Sequence, residues 1–201
     1  MLFSDTYLTI DRKADIIFKD KGSKFLAFAF PVENDAQIKE ALLKLKKEHP
    51  SANHHCYAYR LGADKLNFRA NDDGEPNNTA GKPILGQIQS NDLTNVLIVV
   101  VRYFGGTLLG VSGLINAYKT SAAEVIKECN IIEKFISFNY TINFPFEHLN
   151  DVMKLLKQTD CKIIAQQFDN DCEISFSIRK ANSEACEEKL KKLNGLKLTY
   201  Q

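Results

Sequence analysis

From residue 136 to 144 the chain alternates apolar and polar side chains, ISFNYTINF, the period-two pattern of a strand with one buried face. Pro145 ends it. Leu149, Val152, Met153 and Leu156 then recur at i, i+3, i+4 and i+7, which places them on one stripe of a helix. CKIIAQQF (161–168), a DND turn and CEISFSIR (172–179) predict a hairpin. A second helix aligns Cys186, Leu190 and Leu193 ahead of a last strand, LKLTY. This β-α-β-β-α-β order is the ferredoxin-like pattern, so the chain divides into residues 1–135 and 136–201. Ser137, Asn139, Thr141 and Asn143, with Glu173, Ser175, Ser177 and Arg179, should lie on the open sheet face, and Phe138, Tyr140 and Phe176 against the helices. A face that polar argues against stacking of RNA bases there.

The first 135 residues open with YLTI, ADIIF and FLAFAF, strand-like segments that begin a sheet, with a turn at KDKGSK. Asn34 is placed to cap a helix whose Ile38, Ala41, Leu42 and Leu45 share a face, and Pro50 marks its end. HHCYAYRLG and LNFRA read as strands. NVLIVVVRYF, apolar without interruption until Arg102, reads as a central strand covered on both faces. Helices are expected over roughly 80–90 and 112–129. The fold class is α+β.

Composition narrows the partners. With 44% hydrophobic and 25% charged residues in 201, the chain has the make-up of a folded globular protein, neither disordered nor collagen-like. Its 26 Lys+Arg nearly cancel 25 Asp+Glu, so no overall positive field draws it to nucleic acid or anionic lipid, and any such contact must be local. Cysteines at 56, 129, 161, 172 and 186 are odd in number and form no C-x-x-C, which suits a reduced, cytoplasmic setting. VLIVVV is too short to span a membrane, and MLFSDTYLTIDRK lacks a signal peptide's apolar stretch, so no membrane partner is expected.

Three segments could carry chemistry: NHHCYAYR at 53–60, NDDGEPNNTAGKPILGQI at 71–88 and VVVRYFGGTLLGVSGLINAY at 99–118. His54, His55 and Cys56 invite a zinc reading, but neighbours on a strand point to opposite faces, so His55 cannot join the other two. Only His49 and His148 remain as further imidazoles. No metal or cofactor is assigned. Asp72, Asp73 and Glu75 leave three readings open: a cation site or acid–base pair, a turn with Thr79 capping the following helix, or a partner-binding surface. Lys82 and Arg102 are placed to pair with these carboxylates. Gly105, Gly106, Gly110 and Gly113 lead a strand into a helix, either to bring backbone N–H groups to an anion or to allow close packing. They match neither a dinucleotide fingerprint nor a Walker A loop.

Together, the doubled His followed by Cys, DDGEP-x-x-TAGKP, VVRYFGG-x-LLG and an SKF at 23–25 resemble the IMPACT/YigZ family, over most of residues 1–135. The resemblance implies a first domain with the fold of the second domain of ribosomal protein S5. It also implies a tail like the last domain of elongation factor G. Eukaryotic relatives bind a large ribosome-associated protein and so restrain the kinase that phosphorylates an initiation factor. Val111 and Ser112 depart from the LLGTGGL of many relatives, and Asn53 stands where a basic residue is common. The resulting expectation is a non-enzymatic regulatory protein linked to translation. It would contact a ribosome-associated protein or structured RNA through Asp73, Glu75, Thr79, Lys82, Arg102, Gly105 and Gly106. The rival is a small, metal-assisted hydrolase using Asp72, Asp73 or Glu75 with His54 or His55 as proton carrier.

Overall fold

A computed structural model describes residues 5–169 and 171–200 and places them in two compact units: residues 7–134, and residues 135–200 together with Asp5 and Thr6. Residues 1–4, which open MLFSDTYLTIDRK, and Asn170 of the DND turn lie outside the described residues.

The first unit holds, apart from the border residues Thr6 and Phe135, β1 (Thr6–Ile10), β2 (Ala14–Asp20), β3 (Ser23–Pro31), α1 (Asp35–Glu48), β4 (His54–Leu61), β5 (Asn67–Asn71), α2 (Gly81–Ser90), β6 (Val96–Tyr103), α3 (Gly110–Lys127) and β7 (Ile131–Phe135). Five strands form one sheet in the order β2-β3-β6-β4-β5, every neighbour antiparallel. The opening strand does not join it. β1 pairs instead with β7, in the segment IIEKF, whose five residues lack the alternation that marks a half-buried strand.

Local chemistry accounts for the joints. The β2–β3 hairpin closes on Lys21 and Gly22, both left-handed at φ 43° and 82°, the conformation a two-residue turn needs to match strand twist. Asn34 caps α1 by accepting the Gln37 N–H at 3.0 Å, and the helix stops at His49, before Pro50. β6 is buried from Val96 to Arg102 because it lies between two layers. Val96, Ile98 and Val100 pack under α2 and α3, while Leu97, Val99 and Val101 pack against Ile38, Ala41 and Leu45 of α1. An unbroken apolar run is what a strand covered on both sides requires, here in an antiparallel sheet.

The second unit runs β8 (Ser137–Pro145), a 3-10 turn (Phe146–His148), α4 (Leu149–Gln158), β9 (Lys162–Phe168), β10 (Asp171–Arg179), α5 (Lys180–Leu190) and β11 (Lys197–Tyr200). Its antiparallel sheet has the order β11-β8-β10-β9. Tyr140, Ile142, Phe144, Ile174, Phe176 and Ile178 pack with Val152, Leu156, Cys186 and Leu190 from the helices. The opposite face is polar and self-paired: Thr141 and Ser175, directly opposite, share a hydrogen bond of 2.8 Å, and Asn143 donates to Glu173 at 2.8 Å. Among the described residues no helix is long and apolar enough to cross a membrane.

Candidate functional site

Strand register assembles the site. His54 of β4 and Phe25 of β3 both lie opposite Arg102 of β6. Side chains alternate along each strand, so Arg102 shares the α2/α3 face with Val100, and His54 shares it with Cys56, while His55 turns to the α1 face. Three neighbouring strands thus present a cation, an imidazole and an aromatic ring at one end of the sheet.

Glu75, from the loop before α2, is the hub. Its Oε1 accepts from Arg102 Nη1 at 2.6 Å and from the Tyr118 hydroxyl at 2.8 Å, with His54 Nε2 at 3.8 Å. Arg102 lies over the Phe25 ring at 5.5 Å and the Phe104 ring at 5.8 Å, and its Nη2 reaches Ser23 Oγ at 3.5 Å. Glu75 is 8% exposed, Arg102 6% and Tyr118 not at all, so this ion pair stands only because each charge has its counterpart. The Cys56 thiol faces both the Tyr118 oxygen, at 3.3 Å, and the Asp72 carbonyl, at 3.0 Å. Burial pushes the Cys56 and Tyr118 pKa values up, with Glu75 adding to both, so Cys56 stays a thiol and offers no thiolate nucleophile.

The other two carboxylates hold the loop. Asp72 Oδ1 accepts from the Ala80 and Gly81 N–H groups at 3.0 and 2.8 Å, and Oδ2 from Asn78 N–H at 2.9 Å. Asp72 therefore satisfies the start of α2. The expected cap, Thr79, does not: the N-cap position is Ala80, and the buried Thr79 hydroxyl donates to the Pro76 carbonyl at 2.6 Å. A carboxylate reaching across the loop meets three orphan donors at once, which one hydroxyl cannot. β5 ends its pairing with β4 at Tyr57 opposite Asn71, and Asp73 Oδ2 takes over by accepting the His55 N–H at 2.7 Å. The Asp73 carbonyl accepts from His54 Nδ1 at 2.8 Å, which places a proton on Nδ1. His55 is buried with Nε2 unpartnered, and burial holds its pKa below the usual histidine value. Lys82 is exposed on the first turn of α2 and forms no ion pair with a described residue, contrary to the pairing expected of it.

The glycines divide by role. A Cβ on Gly105 would fall 1.9 Å from the Gly22 carbonyl carbon, so this glycine lets the loop after β6 lie against the β2–β3 turn; its N–H donates to Ser23 Oγ at 3.2 Å. Gly106 is exposed at φ 87° with open space around it, and α3 starts at Gly110 without a side-chain cap. Between these loops opens a groove of about 460 Å³, floored by His54, Glu75 and Arg102 and walled by Phe104, Leu108 and Val111. Asn53 ties its edge, accepting the Phe104 N–H at 2.9 Å. Among the described residues no three His, Cys, Asp or Glu side chains gather as a metal site. Tyr118 and Ser23 are the members that sequence reasoning missed. Tyr118 sits in the apolar stretch LINAY and reads as core, and only the Glu75 loop folding over it gives its hydroxyl a partner.

A three-layer α/β/α unit with three loops meeting over a closed Arg–Glu–Tyr network defines an α+β protein with an IMPACT-type first domain. The family model described as "Impact N-terminal domain" matches residues 21–126. The chain belongs to the IMPACT/YigZ family. It is 32% identical over 196 residues to the "IMPACT family member" of Haemophilus influenzae, covering 94% of each chain. It is 34% identical over 155 residues to "IMPACT family member YigZ" of Escherichia coli, covering 76% of each. "Protein IMPACT" of Danio rerio is 41% identical over 96 residues, which are 45% of this chain and 30% of that one. A crystal structure described as that of a hypothetical protein superimposes with a TM-score of 0.78 at 29% identity, covering 98% of this chain and 97% of that one.

Proposed function

We propose that this chain is a non-enzymatic, cytoplasmic regulatory protein linked to translation, and that the groove rim of its first unit contacts structured RNA or a ribosome-associated protein. One observation carries the reading: the three motif-bearing segments converge on one open groove while Asp72, Asp73, Glu75 and Arg102 are engaged with each other or with backbone. In this reading Glu75, Arg102, Asp73, Thr79 and Gly105 hold the rim in shape, and Lys82, Phe104, Gly106 and Leu108 meet the partner. Kinship with the second domain of ribosomal protein S5 and the last domain of elongation factor G belongs to the same proposal, and the strand order of the second unit supports the latter comparison.

The hydrolase alternative has less support. Asp72 and Asp73 are occupied by backbone N–H groups, and Glu75 Oε1, the carboxylate oxygen nearest His54, already holds two donors. The test is sedimentation of the purified chain with ribosomes across a salt series. Co-sedimentation that weakens with salt and with Lys82→Ala plus Leu108→Ser is the expected result. Failure to pellet, together with no ribosomal component crosslinked in cells, would refute the proposal. Arg102→Ala is a poor probe, because it strands the buried Glu75 and tests folding instead.

A further inference from the structure

The second unit brings two cysteines together. The turn that ends α4 fixes where the first of them points: Asp160 is left-handed at φ 54°, its N–H donates to the Lys157 carbonyl at 3.4 Å, and the Cys161 N–H donates to the Leu156 carbonyl at 3.0 Å. This is the Schellman closure, in which the residue after the left-handed one folds back over the last turn of its helix. Cys186 comes from the buried stripe of α5, with Ser183 and Leu190. The two sulfurs meet there, within hydrogen-bonding reach of each other. The Thr159 hydroxyl stands beside both, 3.2 Å from Cys161 Sγ and 3.7 Å from Cys186 Sγ.

The pair is unequal. Cys186 is 1% exposed, whereas Cys161 is half-buried and lines an open cavity of about 490 Å³ with Met153, Lys154, Lys157 and Ile163. A small oxidant therefore reaches Cys161 first. Contact with Cys161, aided by Thr159 and Lys189, holds the Cys186 thiol below its ordinary pKa against the opposing effect of burial, and the same contact holds Cys161 above it. One proton leaves the pair readily, and the other stays between two sulfurs. The remaining cysteines are placed differently: Cys56 and Cys172 are fully buried, and Cys129, half-buried like Cys161, donates to the Val125 carbonyl at 3.2 Å.

We infer that Cys161 and Cys186 are a redox modification site, closing to a reversible disulfide when the protein meets hydrogen peroxide and so tying the end of α4 to α5. With Cys186 as thiolate, the Cys161 sulfur attacks one peroxide oxygen while its proton passes to Cys186. The O–O bond breaks, hydroxide leaves, and Cys161 becomes a sulfenic acid. The Cys186 sulfur then attacks the Cys161 sulfur, the S–O bond breaks, and the departing hydroxide takes the Cys186 proton and leaves as water. The two sulfurs together lose two electrons and the peroxide gains them. A dithiol reductant reopens the bond by exchange. The site stands whether or not the first unit binds ribosomes.

The experiment uses the full chain, reduced and then treated with equimolar hydrogen peroxide at neutral pH, quenched with N-ethylmaleimide in denaturant and read by peptide mass spectrometry over time. Peptides joined through Cys161 and Cys186 are expected to appear about tenfold or more faster than any oxidised form of Cys129, the internal reference of similar exposure, tenfold being what one pKa unit makes in thiolate fraction. Dithiothreitol should return both cysteines to alkylation. Cys186→Ala should abolish the link and leave oxidised Cys161 as a sulfenic acid that dimedone traps, and Cys161→Ser should leave Cys186 reduced; thermal melts check that both variants fold. A link forming no faster in the wild type than Cys129 oxidises would overturn the inference. So would oxidation of Cys161 past the sulfenic acid with Cys186 still free to alkylate.

Discussion

Tyr118→Phe deletes one oxygen from the middle of the Glu75 network and leaves the ring, with its edge-on contact to Phe25 at 5.2 Å, in place. The lost bond ran at 2.8 Å to a buried carboxylate, and hydrogen bonds to charged groups contribute about 1.5–3 kcal/mol. The Cys56 thiol adds little to the loss, because it keeps the Asp72 carbonyl at 3.0 Å. The first unit is therefore expected to lose about 1.5–3 kcal/mol, or about 5–10 °C of melting temperature at roughly 3–4 °C per kcal/mol. Urea denaturation followed by circular dichroism measures it. A double-mutant cycle with Glu75→Gln then separates the charge-assisted part: with a neutral amide oxygen as acceptor, Tyr118→Phe should cost only about 0.5–1.5 kcal/mol. The same loss in both backgrounds, or a loss below about 0.5 kcal/mol in the wild type, would show that the hydroxyl is not held by the carboxylate.

Other outcomes follow from the same geometry. Gly105→Ala drives a methyl into the β2–β3 turn and should destabilise by about 1–3 kcal/mol or more, while Gly86→Ala in α2, with nothing within 4 Å of the added carbon, should stabilise by about 0.4–1 kcal/mol; paired thermal melts decide. Asp72→Ala strands three backbone donors and should cost about 2 kcal/mol, and Asp72→Asn, which keeps one acceptor oxygen, about half that, both read by denaturant midpoint. Burial holds His55 below its ordinary pKa of 6.5, so between that depressed value and 6.5 the unfolded chain binds a proton that the folded one excludes. Stability should accordingly fall as pH drops through this window. His55→Phe should flatten that slope in melts taken from pH 8 to 5.5, and an unchanged slope would mean that another group titrates.

The local pattern of the chain determined most of its elements, because each is selected by a short-range rule. Period-two alternation at 136–144 suffices for a strand with one wet face, the Asn34 side chain for a helix start, and seven buried residues from Val96 to Arg102 for a strand enclosed by two layers. Motif content determined the family for a related reason: rim loops must accommodate close approaches such as Gly105 on Gly22, and so tolerate few residue types. What the carboxylates do was a matter for tertiary structure. Asp72, Asp73 and Glu75 are neighbours in sequence with equivalent chemistry, yet one caps a helix, one replaces a missing strand partner and one neutralises an arginine. Each role depends on which donor the fold brings within about 3 Å. Those donors come from α2, β4, β6 and α3, so spacing along the chain could not distinguish a cap from a base. The bond from the Tyr118 hydroxyl to Glu75 arises the same way, from side chains far apart in sequence that meet only when the sheet and helices close around them.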